Sequence, residues 1–431
     1  MMSDKPNILF LFADQMHAFA MGCMGTEDIH TPNLDKLAKE GALFRNCYSN
    51  APVCTPFRAT LVSGQYGSQT DTLRNGRYVP DGTRTLAGSL NDAGYRTGWV
   101  GKWHLGATGN VWIPPELRAD FTEFIGYQCY NDFLHGVKFY DEEGNEDWRD
   151  NHRTDVTSDI AIERMEKMKD NGPFALFVSY QNPHYPEQPG YEYDKMYKGV
   201  TLKRRPNCVA VDPYTRTHSP PSPKPQENDP LYQRYGNNLD EYLRAYYAMV
   251  THLDANVGSM MEALDRLGLR DNTVVMFTSD HGDLQGCHGE TNKGKAWEES
   301  SHIPLIVRSP GGASGAVIDD LVSGVDFFAT CVDYAGQSPE PSVEGDSFAP
   351  MIADPSQTLN RQIFSEMQPW CMVREGAFKL VVHKEGFEAT HLFDLENDPY
   401  EMDNLLDNSD HAEKQTHLYG VLEEWYKRVT S

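Results

Sequence analysis

Short, almost wholly apolar runs alternate along most of this chain with segments whose apolar residues recur every three to four positions. "NILFLFAD", "YRTGWVGKW", "FALFVSYQ", "TVVMFTSD" and "IPLIVRSP" are brief and apolar at nearly every position, which predicts strands buried on both faces. Between them, "TPNLDKLAKEG" predicts a helix with Thr31 as its cap, Pro32 in its first turn and Gly41 as its stop. Further helices are predicted at "TLAGSLNDAG", 154–170 and 238–267, and another begins near Pro56. Strands that alternate with helices in this way predict an α/β fold, a mostly parallel sheet sandwiched by helices.

The rhythm breaks twice. Residues 185–236 contain "RTHSPPSPKPQENDP", too rich in proline and polar residues for a packed element, and predict an excursion over the surface. From about residue 360 the pattern changes to short strands, "QIFSEM", "AFKLVVH" and "HLFDL", followed by a helix near 411–428. The expected organisation is a catalytic α/β domain over 1–358 and a small antiparallel α+β subdomain over 359–431. There is no internal repeat.

Charge narrows the choice of partners. Lys and Arg total 38 against 63 Asp and Glu, a formal net charge of −25 in 431 residues. Such a surface repels nucleic acid and anionic membranes, so neither is an expected partner. No apolar run reaches the roughly 20 residues of a membrane helix, and the opening "MMSDKPNILFLFADQ" lacks the basic-then-apolar order of a signal segment. The expectation is a cytoplasmic protein. Its eight cysteines are scattered without CxxC or zinc-type spacing, so reduced thiols are expected. Oligomeric state leaves no mark in the sequence.

Polar clusters recur just beyond the predicted strands, where open α/β sheets gather their functional groups. The first strand ends in Asp14 and Gln15, "GKWH" places Lys102 and His104, "NPHYP" places His184, and "SDHGD" places Asp280 and His281. Lys293 precedes the next strand. An aspartate at a strand end is commonly a cap or turn former, and a single histidine is commonly structural. Several clusters at equivalent positions are harder to explain in that way. Two carboxylates, an amide and an imidazole suit a hard divalent cation, and the cations around them suit a compact tetrahedral anion. His17, His135, His288 and His302 have no matching role, and "GKWHLGATG" lacks phosphate-loop spacing.

The stretch "NAPVCTPFRATLVSG" contains "CTPFR", which resembles the C-x-P-x-R signature of type I sulfatases in the alkaline phosphatase-like superfamily. "TPNLDKLAKEGALFRNCY", "GYRTGWVGKWHLG", "NPHYP", "SDHGD", "KGKAWEES" and "LFDLENDPYEMDNL" resemble further family blocks, in family order. The resemblance implies a sulfuric-ester hydrolase in which a formylglycine-generating enzyme oxidises Cys54 to Cα-formylglycine. The hydrate of that aldehyde would be the nucleophile, and its second hydroxyl would expel sulfate. Carried over residue by residue, Asp14, Gln15, Asp280 and His281 resemble metal ligands, with residue 54 supplying an oxygen. The metal is expected to be calcium, with manganese as the alternative because Gln15 stands where many sulfatases have a second aspartate.

The same resemblance implies that Arg58 and Lys102 stabilise the nucleophile and that His104 is a base. It implies that His184 and Lys293 grip the sulfate and protonate the leaving alcohol, and that Asn75 contacts the anion. Phe57, where serine or alanine is common, is expected to pack behind the turn. The expected substrate is a small sulfated sugar or oligosaccharide. Choline or aryl sulfates are alternatives, as is phosphodiester or phosphonate monoester hydrolysis on the same scaffold.

Overall fold

The computed structural model describes residues 5–134, 136–209, 235 and 238–431. His135 and the proline-rich stretch of the expected surface excursion lie outside the described residues. Ten strands form one sheet. They are β1 (Asn7–Asp14), β2 (Ala42–Tyr48), β3 (Arg96–Lys102), β4 (Glu123–Tyr127), β5 (Val137–Tyr140), β6 (Glu146–Arg149), β7 (Phe174–Pro183), β8 (Thr273–Ser279), β9 (His302–Arg308) and β10 (Ala316–Ser323). Their order across the sheet is β10-β2-β9-β8-β1-β7-β3-β4-β5-β6.

The apolar runs have a direct physical reading. In β1, Ile8, Phe10 and Phe12 enter one hydrophobic core, while Leu9 and Leu11 enter a second core on the opposite face. Successive side chains of a strand point to opposite faces, so a strand covered on both sides must be apolar throughout. Each fully buried Leu or Phe contributes roughly 1.5–3 kcal/mol. The long helix Leu239–Leu267 and helix α1 (Pro32–Glu40) cover one face. Helix α2 (Cys54–Ser63) and the helix Asp326–Tyr334 cover the other, where Phe57 is fully buried edge-on against Phe327.

Two differences from the sequence reading matter. Helix α2 starts at Cys54 rather than near Pro56. Proline is tolerated there because the first-turn N–H groups have no partner within the helix, and Phe57 N closes that turn onto Val53 O at 3.0 Å. The sheet is also less uniform than the apolar runs suggest, since β9 runs antiparallel to both β2 and β8.

Four antiparallel strands, β11 (Ile363–Glu366), β12 (Trp370–Glu375), β13 (Phe378–His383) and β14 (Glu388–Asp394), form a second sheet. Strand β12 was not legible in the sequence. Leu418, Leu422, Trp425 and Val429 of the helix Ala412–Thr430 pack on Cys371, Val373 and Leu380 of this sheet. Lys379 of β13 is fully buried, donates to Glu298 at 2.8 Å and pairs closely with Glu401. No helix among the described residues is long and apolar enough to cross a membrane.

Candidate active site

Strands β8, β1, β7 and β3 lie side by side, and each delivers polar residues at its carboxyl end. Asp280 and His281 follow β8, Asp14 ends β1, His184 follows β7, and Lys102 ends β3. A Cβ on Gly101 would lie 2.1 Å from the Ser179 carbonyl oxygen, so only glycine lets β3 close on β7 just before Lys102. Gln15 and His104 take left-handed backbone conformations, with φ of 72° and 51°. Tyr246 Oη donates to the Gln15 carbonyl at 2.9 Å and Thr55 Oγ1 to the His104 carbonyl at 2.6 Å, holding both turns in place.

Helix α2 carries Cys54 and Arg58 one turn apart, on the same face. The wholly buried Arg58 fork donates through Nη1 to Lys102 O at 2.7 Å and Ser179 Oγ at 2.8 Å. Through Nη2 it reaches Asp14 Oδ2 at 3.0 Å and Asp280 Oδ2 at 3.3 Å. Cys54 Sγ lies 3.3 Å from His281 Nε2, 3.4 Å from Lys293 Nζ, and 3.7 Å from both Lys102 Nζ and Asp14 Oδ1. Burial alone would raise the Cys54 thiol, but Lys102, Lys293 and His281 outweigh it and hold the thiol well below its usual range.

The acidic groups respond in opposite directions. Burial pushes the Asp280 carboxyl up to about 6, with the neighbouring Asp14 adding to the effect. Burial also works against Asp14, but Lys102, 2.6 Å away, together with His184 and Lys293, holds it well below the usual carboxylate range. Burial, Lys293 and Lys102 hold His184 down at about 3, so its ring is neutral near pH 7. Its Nδ1 donates to the Tyr185 carbonyl at 2.6 Å.

The side chains fit a divalent cation. One ligand atom from each of Asp14, Cys54, Asp280 and His281 lies within 4.8 Å of the others. His281 Nδ1 donates to the Gly282 carbonyl at 3.0 Å, which leaves the Nε2 lone pair turned to the cluster, the orientation of a metal-binding imidazole. A cation here would also relieve the desolvated Asp280 carboxylate. Gln15 lies beside the cluster, with Oε1 accepting from Lys293 at 2.7 Å and Nε2 donating to Asp283 Oδ2 at 2.6 Å.

A cavity of about 290 Å³ opens over Cys54, lined by Asn75, His104, His184 and Lys293 among others. Asn75 Oδ1 accepts from Thr55 N at 3.1 Å, satisfying a first-turn N–H of α2 at the rim of the cavity. The family model described as Sulfatase matches residues 6–337, from β1 through the whole of this site.

The chain belongs to the sulfatase family. As a sulfatase it is a sulfuric-ester hydrolase. A second model, described as N-sulphoglucosamine sulphohydrolase, C-terminal, matches residues 286–428. The sulfatase is 28% identical to the ulvan-active sulfatase of Formosa agariphila, over 96% of this chain and 80% of that protein. It is 26% identical to the N-acetylglucosamine-6-O-sulfatase of Bacteroides thetaiotaomicron, over 98% of this chain and 87% of that one. Among solved structures, yidJ from Bacteroides fragilis superposes with a TM-score of 0.86 at 27% identity, covering 100% of this chain and 97% of its own.

The structure brings all eleven residues singled out in the sequence to this one end of the sheet and adds several that the sequence did not reveal. Thr108, Cys129, Tyr130, Asn131, Tyr185 and Asn292 also line the sulfatase cavity. Burial opposes ionisation of Cys129, but Lys102 and His104 outweigh it and lower its thiol pKa. Asp283, wholly buried, accepts from Tyr242 Oη at 2.7 Å as well as from Gln15. The second aspartate of "SDHGD" was the available signal for it.

Proposed function

We propose that this sulfatase removes sulfate from a small sulfated sugar or oligosaccharide, with residue 54 as the nucleophile after its conversion to formylglycine. The observation that carries the reading is the convergence of Arg58, Lys102, Lys293 and the Asp14–Asp280–His281 cluster on one buried sulfur. A hydrated formylglycine supplies a hydroxyl to attack sulfur and a second hydroxyl whose deprotonation releases sulfate. Asp14, Gln15, Asp280 and His281, with residue 54, would hold calcium, or manganese as the alternative, which would supply electrostatic stabilisation of negative charge at residue 54.

The remaining roles belong to the chain's own groups. Lys102 offsets negative charge as it develops at residue 54, which stands at the start of α2 where the helix dipole favours it, while Arg58 fixes Asp14 and Asp280. Lys293 and the Asn75 amide hold sulfate oxygens. His104 lines the cavity beside residue 54 and is the proposed base. His184 Nε2 gains a proton when the sulfate anion offsets Lys293 and Lys102, and passes it to the departing alcohol oxygen.

Pocket size supports a small leaving group, because about 290 Å³ falls just below the roughly 300–1,000 Å³ typical of ligand pockets. The names of the ulvan-active sulfatase and the N-acetylglucosamine-6-O-sulfatase support sugar sulfates, and a choline-sulfatase and an arylsulfatase at similar identity keep the alternatives in the panel below. Eight free cysteines suit a reducing compartment, and the cytoplasm is the proposed location. The test has two parts. Peptide mass spectrometry of active enzyme should find formylglycine at position 54, and Cys54→Ala should remain folded without turnover. Sulfate release from a panel of sulfated sugars, aryl sulfates and choline sulfate should rank a sugar first. Full activity with an unmodified thiol would refute the nucleophile, and faster cleavage of aryl phosphonates than of any sulfate would refute the substrate class.

A further inference from the structure

Away from the cavity, the structure pairs two cysteines that are far apart in sequence. Cys208 and Cys287 stand directly opposite each other in an antiparallel bridge. The flanking backbone bonds, Val209 N to Gly286 O at 3.0 Å and His288 N to Asn207 O at 3.0 Å, make this a non-hydrogen-bonded pair. In such pairs the Cα atoms are about 4.5 Å apart and the side chains lie on the same face, within the roughly 4.4–6.8 Å that a disulfide spans. Cys208 Sγ also lies 3.5 Å from the Gln285 carbonyl oxygen, on the loop that carries Cys287. Cys47, Cys331 and Cys371, by contrast, are buried in apolar clusters.

Cys287 lies on a tight loop closed by Leu284 N to Asn292 O at 2.7 Å and Gly286 N to Glu290 O at 2.8 Å. At one foot of that loop stands Asp283, which holds Gln15, and at the other stands Lys293. Segment 207–209 therefore rests on the piece of chain that joins two parts of the active site.

We propose that Cys208 and Cys287 form a reversible dithiol–disulfide couple that fastens this loop to segment 207–209. The oxidant is a small-molecule disulfide. Cys208, the half-buried member, is the attacking thiol, and Cys287, which is 1% exposed, is the resolving one. Cys208 as thiolate attacks one sulfur of the small disulfide and releases one small thiolate. Cys287 then loses its proton and attacks the Cys208 sulfur of the mixed disulfide, releasing the second. Two protein thiols are oxidised, one small disulfide is reduced to two thiols, and the two protons end on those thiols.

Cys208 and Cys287 both line a small cleft, together with Lys203, Arg204 and Arg205. The neighbouring Cys287 thiol and the two nearby arginines lower the Cys208 thiol against the effect of burial. This couple does not depend on the chemistry at residue 54.

The test uses the full-length enzyme equilibrated with glutathione buffers of graded redox poise, quenched in acid, alkylated and mapped without reduction. The expected result is a linked Cys208–Cys287 peptide that appears at oxidising poise and disappears on return to reducing poise. Oxidised protein should also unfold at a higher temperature than reduced protein. Cys208→Ser and Cys287→Ser should each abolish the link and the thermal shift; the wild-type map decides the matter if either variant fails to fold. No linked peptide at any poise, a link from Cys208 to another cysteine, a stable glutathione adduct on Cys208 alone, or a link without a thermal shift would each overturn the proposal.

Discussion

Arg58 Nη2 meets Asp14 Oδ2 at 3.0 Å with both side chains wholly buried. Removing one partner of such a pair leaves the other charged in a dry interior, at a cost of about 3–5 kcal/mol. Arg58→Ala is expected to lower Tm sharply and abolish turnover. Arg58→Lys keeps the charge but not the fork that also reaches Ser179 and the Lys102 carbonyl, so a smaller fall in Tm should accompany a large loss of kcat. Calorimetry and sulfate release measure the two effects; unchanged kcat in Arg58→Lys would contradict the assignment.

Chelation is expected to silence the enzyme, and added calcium or manganese to restore it. Asp280→Asn removes a negative ligand and should weaken calcium binding at least tenfold, about 1.4 kcal/mol, by titration calorimetry of the stripped protein. Activity that survives exhaustive chelation would count against the ligand set.

The buried Lys379 serves two carboxyl groups, and two carboxylates cannot both stay charged beside one ammonium at no cost. Burial resists ionisation of Glu298, but Lys379 and His302 hold it at about 2, so it stays ionised. Burial, with Glu298 and Glu299, pushes Glu401 up to about 8. The folded state therefore binds a proton on Glu401 more tightly than the unfolded chain does. That stabilisation is complete below the unfolded pKa of a glutamate, near 4.5, and is lost as pH rises through about 8. Wild-type Tm should fall between pH 6 and 9 by more than that of Glu401→Gln, a difference of about 1–3 kcal/mol. Parallel curves for the two proteins would refute the assignment.

Substrate length offers a fourth test. A net charge of −25 repels a polysulfated chain increasingly with each sulfate, whereas Arg58, Lys102 and Lys293 concentrate positive charge at a single anion. For one sulfated sugar offered as monomer, short oligomer and polymer, kcat/KM should fall with length, most steeply at low salt. Preference for the polymer at low salt would reverse this expectation.

Central elements were the most legible in the sequence. Strands β1, β7 and β8 are apolar on both faces, and their ends carry Asp14, His184 and Asp280. Strands β2, β4 to β6, β10 and β12 were missed because they are short, or lie at an edge, or mix polar with apolar positions. The direction of β9 was illegible, since an apolar run carries no sense of orientation. Cys129, Tyr130 and Asn131 reach the cavity from a loop after β4 with no periodic signal, and the pairing of Cys208 with Cys287 depends on a chain path that spacing does not encode.

The reversal of β9 carries a consequence for how the pocket can change. A parallel neighbour would have obliged the chain leaving β8 to return to the far end of the sheet before starting again. Because β9 runs backwards, residues 280–301 never leave the catalytic edge; they depart from β8 and re-enter the sheet at the same end. Between Asp283 and Lys293, which keep their places, this detour can lengthen, shorten or change composition without moving a strand or a covering helix. Selectivity for the leaving group can drift here while the machinery on β1, β3 and β7 stays as it is.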